Sequence, residues 1–257
     1  MELSFFKYQG TGNDFVLIDN RQHVFSKNNT ELVAKLCDRR FGIGADGLIL
    51  LESHPEADFK MVYYNADGNL SSMCGNGGRC ITLFAQHLGI ISNKAIFEAV
   101  DGMHVATIID DNISLKMNNV SEVIVANGNA FLDTGSPHHI EMVTNLKSFD
   151  VKTFGANIRY NTYGKEGANV NFIEQIDTDT FSVRTYERGV EAETLSCGTG
   201  VTAVAIAMFE MGKTSSNLVK LQTQGGNLNV RFVKKDDHYE DVYLEGPAKK
   251  VYNGVYT

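Results

Sequence analysis

One short pattern occurs twice and restricts the fold more than any other feature. Met73-Cys74-Gly75-Asn76-Gly77 and Ser196-Cys197-Gly198-Thr199-Gly200 each set a cysteine directly before a glycine-rich turn that opens a helical stretch. Their approaches match too, through Tyr64-Asn65-Ala66-Asp67-Gly68 and Tyr186-Glu187-Arg188-Gly189. Such a repeat describes two half-sites carried by two related halves of the chain. If the halves face one another, two thiols are presented to one small molecule, as acid/base chemistry on both faces of a single carbon requires.

The surrounding pattern is α+β. Alternation marks strands at 4–9 and 15–19, a helix at 30–40 with Thr30 placed to cap it, and strands at 47–52 and 58–64. A helix then runs from the first cysteine turn to Gly89, which suits the residue just past a helix end, and 107–117 reads as antiparallel strands. The second half repeats the order, with strands at 170–175 and 180–187, the second cysteine turn, a helix ended by Gly212, and strands at 218–223, 227–233 and 240–245. The expectation is two pseudo-symmetric domains, each a mostly antiparallel sheet wrapped around a central helix. Residues 1–118 carry Cys74, residues 119–248 carry Cys197, and a strand at 249–257 returns to the first half; the active site is expected in the cleft between them.

A length of 257 residues and 43% hydrophobic content suffice for two packed cores, and a net charge of -8 gives neither nucleic acid nor an anionic membrane an electrostatic attraction. No basic segment followed by a signal-length apolar stretch opens the chain, and no apolar run approaches ~20 residues, so a cytoplasmic location is expected. Four cysteines in such a chain read as thiols. Cys37 and Cys80 read as packing residues, with no zinc spacing around Cys80 and no metal site expected.

Two glycine motifs mislead. Gly42-Ile43-Gly44-Ala45-Asp46-Gly47 has the letters of a dinucleotide fingerprint, but a helix precedes it and the strand Leu48-Ile49-Leu50-Leu51 follows, the reverse of what that motif needs. Gly164-Lys165 lacks the rest of a phosphate-binding loop.

A cysteine before a helix gains from unpaired N–H groups and the positive dipole end, which favour the thiolate, and the same N–H groups can hold a carboxylate. Two such turns around one carboxylate would stabilise the charge that builds when the adjacent carbon loses a proton. One thiolate takes that proton, the opposite thiol returns another, and the carbon inverts. Two other readings stay open. A redox pair would more naturally use Cys-x-x-Cys in one loop, and nucleophilic catalysis would need a histidine base, for which His138 is the attractive candidate. The remaining histidines considered, His23, His54, His87, His104 and His238, read as solvated.

Taken together, Gly10-Thr11-Gly12-Asn13-Asp14-Phe15, Arg40 to Gly47, Asn65-Ala66-Asp67-Gly68, Cys74 to Arg79, Gly135-Ser136-Pro137-His138, and Glu187-Arg188-Gly189 with Cys197 to Gly200 resemble the diaminopimelate epimerases. The resemblance implies no cofactor, and interconversion of LL- and meso-diaminopimelate for lysine and peptidoglycan synthesis. By position, Cys74 and Cys197 resemble the base and acid pair, and Gly75, Asn76, Gly198 and Thr199 the α-carboxylate binders. Asn13, Asn65, Asn169, Glu187 and Arg188 resemble the other substrate contacts, with Ser136 and His138 completing the expected binding set. A zwitterion at each end of the substrate calls for a donor fork such as Arg188 and acceptors such as Glu187.

Two positions depart from the pattern. Many members have asparagine at Ser136, and some have glutamine at Gly47. A serine hydroxyl is shorter than an amide, so contact with the distal end of the substrate is expected to be lost or made through water. A racemase of another amino acid on the same two-thiol design is the alternative, and a disulfide switch using Cys74 and Cys197 is the reading from outside enzymology. The expected partner is a small molecule, and the oligomeric state, a homodimer included, stays open.

Overall fold

A computed structural model describes residues 2–257. The chain divides into two compact units, the described residues up to Leu115 together with Gly246–Thr257, and Lys116–Glu245.

In the first unit, β1 (Leu3–Gly10) and β2 (Asn13–Asp19) form a hairpin. The helix α1 (Thr30–Cys37) follows, then β3 (Gly47–Glu52) parallel to β2 and β4 (Phe59–Asn65) antiparallel to β3. After the long helix α2 (Gly75–His87), β5 (Lys94–Ala99) pairs in parallel with β4, and β6 (Gly102–Ile109) and β7 (Asn112–Lys116) continue as a meander. The strand Lys249–Tyr256 lies antiparallel to the outer side of β1.

The second unit repeats these pairings. Its β8 (Val123–Ala126) lies antiparallel to β9 (Asn129–Asp133), which pairs with β10 (Pro137–Met142). The helix α3 (Val151–Asn157) occupies the place of α1 in chain order. Strand β11 (Asn169–Asp177) runs parallel to β10 and antiparallel to β12 (Thr180–Glu187), with the short β13 (Ala192–Thr194) beside β12. After the helix α4 (Gly198–Glu210), β14 (Leu218–Thr223) pairs in parallel with β12, and β15 (Gly226–Lys235) and β16 (His238–Pro247) complete the meander. The α+β class with two pseudo-symmetric halves therefore holds, and Lys249–Tyr256 fills in the first unit the position that β8 fills in the second.

Each central helix is buried along most of its length, from Gly75 through Ala85 in α2 except Leu83, and from Val201 through Met208 in α4. A sheet closed around such a helix buries both its own inner face and nearly the whole helix, so α4 is apolar all round rather than on one stripe. On the outer side of the first sheet, Val33, Leu36 and Cys37 of α1 pack with Val16, Ile18, Leu48 and Leu50.

The structure corrects several expectations. The cap of α1 is Asn29, whose Oδ1 accepts the Leu32 N–H at 3.1 Å, rather than Thr30. The helix stops at Cys37 rather than continuing to residue 40, because Asp38 turns its carboxylate onto the N–H groups of Arg40 and Phe41 at 2.7 Å each. The returning chain is so close that a Cβ on Gly42 would lie 1.9 Å from the Lys35 carbonyl oxygen. His104 is not solvated; it is 6% exposed, stacks on Phe97 and meets Asp101 Oδ1 at 2.8 Å. Cys37 and Cys80 are buried thiols, and burial pushes Cys37 up to about 12 and Cys80 further.

Candidate active site

Both cysteines stand at the N-cap of a 13-residue helix with nearly the same backbone, φ -116° and ψ 120° at Cys74, φ -118° and ψ 114° at Cys197. The Cys74 carbonyl accepts the Gly78 N–H at 2.8 Å and the Cys197 carbonyl accepts Val201 N–H at 3.0 Å. The first-turn amides ahead of these two therefore point along each helix axis at the sulfur end, where helix geometry supplies no carbonyl and the dipole favours an anion.

Around Cys74 the polar groups form one chain of hydrogen bonds. Asp46 Oδ2 accepts Asn13 Nδ2 at 2.7 Å, and a carboxylate can only accept, so Asn13 Oδ1 is turned the other way. That oxygen accepts Asn76 Nδ2 at 3.2 Å and the Cys74 thiol at 3.6 Å. Asn76 Oδ1 in turn accepts from Arg79 at 2.9 Å. Behind Asp46, Arg39 bridges Asp46 and Asp14, and Lys7 joins Asp14 at 2.7 Å. Burial would raise the Asp14 carboxyl, but Arg39 and Lys7 outweigh it and take it down to about 2. Asn65 is exposed at the end of β4, opposite Gly47 in the register. A side chain at Gly47 has no room, because a Cβ there would lie 2.5 Å from both Tyr63 Cε2 and the Tyr64 carbonyl oxygen.

The second half-site is built differently. Cys197 Sγ lies 3.4 Å from Thr199 Oγ1, which lies 2.9 Å from His138 Nε2. Asn171 Nδ2 donates to the His139 carbonyl at 3.0 Å, which fixes the orientation of its amide and makes it donate to His138 Nδ1 at 3.2 Å. His138 is fully buried, and burial, assisted by the positive charge of Arg188, pushes it down to about 3. The ring is therefore neutral at pH 7 with its proton on Nε2. Thr199 Oγ1 accepts that proton's hydrogen bond, and the threonine's own hydrogen is available to Cys197 Sγ. Gly200 makes this possible: a Cβ there would lie 2.7 Å from Asn171 Oδ1 and 3.3 Å from Cys197 Sγ.

Beside these lies a third group. Ser136 Oγ accepts Asn169 Nδ2 at 2.9 Å and Arg188 Nη2 at 3.4 Å; Asn169 Oδ1 accepts the Arg188 backbone N–H at 2.8 Å, and Arg188 Nη1 donates to the Glu166 carbonyl at 2.9 Å. Glu187 Oε2 accepts the Thr194 hydroxyl at 2.8 Å. In the first unit the structure thus joins Asn13, Asn76 and Cys74, with Gly75 in the same helical turn and Asn65 apart. In the second it joins His138, Thr199 and Cys197, with Gly198 in that turn, and separately Ser136, Asn169 and Arg188. Among the described residues no cluster of three His, Cys, Asp or Glu side chains is arranged to hold a metal ion, and no helix is long and apolar enough to cross a membrane.

Sequence reasoning missed Asp46, Arg79, Thr185 and Asn171. The signal for Asn171 was present: with Asn169 it puts two amides at alternate positions of a stretch, 169–173, whose other residues are apolar, where a buried side chain must find partners. Its Oδ1 accepts the Thr185 hydroxyl at 2.9 Å.

Comparison with known proteins gives a consistent result. The family model described as diaminopimelate epimerase matches residues 5–123 and 130–251. The chain is 58% identical to the diaminopimelate epimerase of Flavobacterium psychrophilum, covering 97% of this chain and 98% of that protein. It is 46% identical to that of Chlorobaculum tepidum, covering 96% and 99%. Among solved structures, a Bacillus anthracis phenazine biosynthesis protein of the PhzF family superposes with a TM-score of 0.77 at 15% identity, covering 100% of this chain and 99% of that one. A probable proline racemase from Agrobacterium radiobacter gives 0.72 at 15% identity, covering 99% and 93%. At such identities these two speak for the fold alone.

Proposed function

The chain belongs to the diaminopimelate epimerase family and is an isomerase, and on that premise we propose that it interconverts LL- and meso-diaminopimelate by a cofactor-independent two-thiol mechanism. The product would feed lysine and peptidoglycan precursor synthesis. In this reading the two half-sites close on one α-carbon.

The observation that carries the mechanism is the opposite hydrogen-bonding role of the two sulfurs. Asn13 Oδ1 is an acceptor, so its bond at 3.6 Å favours a protonated Cys74. In this reading the Thr199 hydroxyl, already accepting from His138, takes the donor role toward Cys197 and favours its thiolate. From this state Cys197 Sγ takes the α-proton, forming S–H as the C–H bond breaks. Cys74 S–H then delivers its proton to the other face, and the new C–H bond leaves Cys74 as thiolate. The reverse reaction starts from that exchanged state. Charge left on the carbon spreads onto the adjacent carboxylate, where the first-turn amides at Gly75, Asn76, Gly198 and Thr199 stabilise it. His138 acts through Thr199 and stays neutral throughout, which also leaves it poorly suited to be the base of a nucleophilic mechanism.

At the distal end, the Arg188 fork is steadied by Glu166 and Ser136, and Glu187 supplies an acceptor for ammonium. Ser136 spends its acceptor capacity on Asn169 and Arg188, so its hydroxyl hydrogen is the part left for a substrate carboxylate. Purified reduced protein is expected to exchange the α-hydrogen of LL-diaminopimelate with solvent deuterium without pyridoxal phosphate. Cys74→Ala and Cys197→Ala should each abolish racemisation, and full activity in either would refute the mechanism. Preference for a single-centred amino acid in a substrate panel would instead favour a related racemase.

A further inference from the structure

Arg79 has no place in the mechanism above, yet it is the largest fully buried side chain of the described residues. Its guanidinium donates to Asn76 Oδ1 at 2.9 Å, Thr11 Oγ1 at 3.3 Å, the Gly75 carbonyl at 3.4 Å and the Pro247 carbonyl at 3.5 Å. Among the described residues it forms no ion pair. Burying a charge is costly unless an opposite charge goes with it. Burial does lower this guanidinium, to about 10, so it stays a cation at neutral pH. The fold makes deliberate room for it, since a Cβ on Gly10 would lie 3.3 Å from Arg79 Nη2 and 3.2 Å from the Asn76 carbonyl oxygen.

The position is specific to one half-site. Arg79 stands in the second turn of α2, and the corresponding residue of α4 is Thr202, a neutral hydroxyl donating to the Gly198 carbonyl at 2.9 Å. The titratable groups that act on Arg79 are Cys74 and Cys80 of its own helix. Thr11 and Pro247, packed against it from the other elements, bring no charge, and the Lys7, Asp14, Arg39 and Asp46 network is linked to it through Asn13 and Asn76. The cation therefore adds a full charge to the dipole at the sulfur end of α2, and through Asn76 it sets which way the amide of Asn13 points at Cys74.

We propose that Arg79 is a positioning residue whose counter-charge arrives only in turnover, as the carboxylate of the substrate bound at the same helix end and as the Cys74 thiolate formed there, which the guanidinium stabilises from behind. This rests on the two-thiol reading of the site, and it makes the α2 half-site the more electropositive of two otherwise similar helix ends.

The test reads Cys74 without any substrate. Iodoacetamide alkylation of Cys74, followed across pH by peptide mass in the full-length reduced protein, should show its half-maximal pH about one unit higher in Arg79→Met, and a rate about tenfold lower at pH 7. Arg79→Lys, which keeps the charge, should restore most of that rate. With diaminopimelate, Arg79→Met should raise KM more than it lowers kcat. An unchanged alkylation profile in folded Arg79→Met would overturn the proposal, as would a shift of equal size at Cys197. If Arg79→Met does not fold, Asn76→Asp, which gives the guanidinium a carboxylate within the chain, should slow Cys74 alkylation in the same sense; an unchanged rate there would overturn it equally. Wild-type protein that alkylates as expected but does not racemise diaminopimelate would refute the proposed function and leave the role of Arg79 standing.

Discussion

The substitution Thr199→Val isolates the contact on which the assignment of Cys197 rests. Valine matches threonine in shape and keeps the backbone N–H of the helix turn, so only the hydroxyl is removed. That hydroxyl stands 3.4 Å from Cys197 Sγ and 2.9 Å from His138 Nε2. Two costs follow. The His138 N–H, in a fully buried ring, loses its acceptor, which should lower stability by about 1–3 kcal/mol. The thiolate loses a donor, for which hydrogen bonds to charged groups suggest about 1.5–3 kcal/mol, and the long contact to sulfur argues for the lower end. At about 1.4 kcal/mol per pH unit, the acidic limb of kcat/KM should move up by about one unit, with a loss of about tenfold at a pH on that limb. The assay is solvent deuterium exchange at the α-carbon of LL-diaminopimelate, followed by NMR from pH 5.5 to 9. Thr199→Ser should restore the limb. A folded Thr199→Val protein whose limb stays in place, whatever its absolute rate, would refute the donor role of Thr199.

Acid stability gives a second test. His138 titrates near 6.5 when unfolded but near 3 when folded, so between those values the unfolded chain holds the extra proton. Its contribution is complete above about pH 6.5 and is lost as pH falls toward 3, at up to about 1.4 kcal/mol per unit. Urea melts at pH 6.5 and 4.5 should therefore differ more in the wild type than in His138→Gln, and equal slopes would contradict the buried neutral ring; His87 and His139 are also held low by burial and cancel in that comparison. Gly200→Ala would press a methyl group between Asn171 Oδ1 at 2.7 Å and Cys197 Sγ at 3.3 Å. Activity should fall at least about tenfold with far-ultraviolet circular dichroism unchanged, and a fully active variant would show that this close approach is not needed.

Much of this was legible in the sequence where the signal was local. The two helices after the cysteines were bounded by glycine at both ends, and Gly89 and Gly212 have φ of +70° and +67° where each helix stops. Strands with unbroken apolar runs, such as Leu48 to Leu51, were readable for the same reason. The short helix Val151–Asn157 was not, because Lys152, Thr153 and Gly155 give it little helical periodicity. Its glycine is there for packing, since a Cβ would lie 2.4 Å from that of Tyr186. The strands 123–126 and 129–133 were signalled locally by Asn127-Gly128, whose φ values of 52° and 81° make the hairpin turn, but the strands are too short for alternation to show them, and the pairing of 137–142 with 169–173 is distant in sequence. At the site, the motifs pointed to Cys74, Asn76, Cys197 and Thr199. The protonation roles came instead from Asp46, Asn171 and His138, whose meaning lies in which atom faces which.

The antiparallel match of Leu3–Gly10 to Lys249–Tyr256 bears on how the protein is made. The second unit is one continuous stretch, Lys116–Glu245, and can complete its sheet as soon as it has left the ribosome. The first unit begins earlier in the chain but lacks its outer strand until residues beyond the second unit have been synthesised. During translation β1 therefore waits as an open edge with unsatisfied backbone groups, vulnerable to pairing with another nascent chain. The half that starts first is closed last, and ribosomes stalled before residue 249 should carry a finished Cys197 half beside an unfinished Cys74 half.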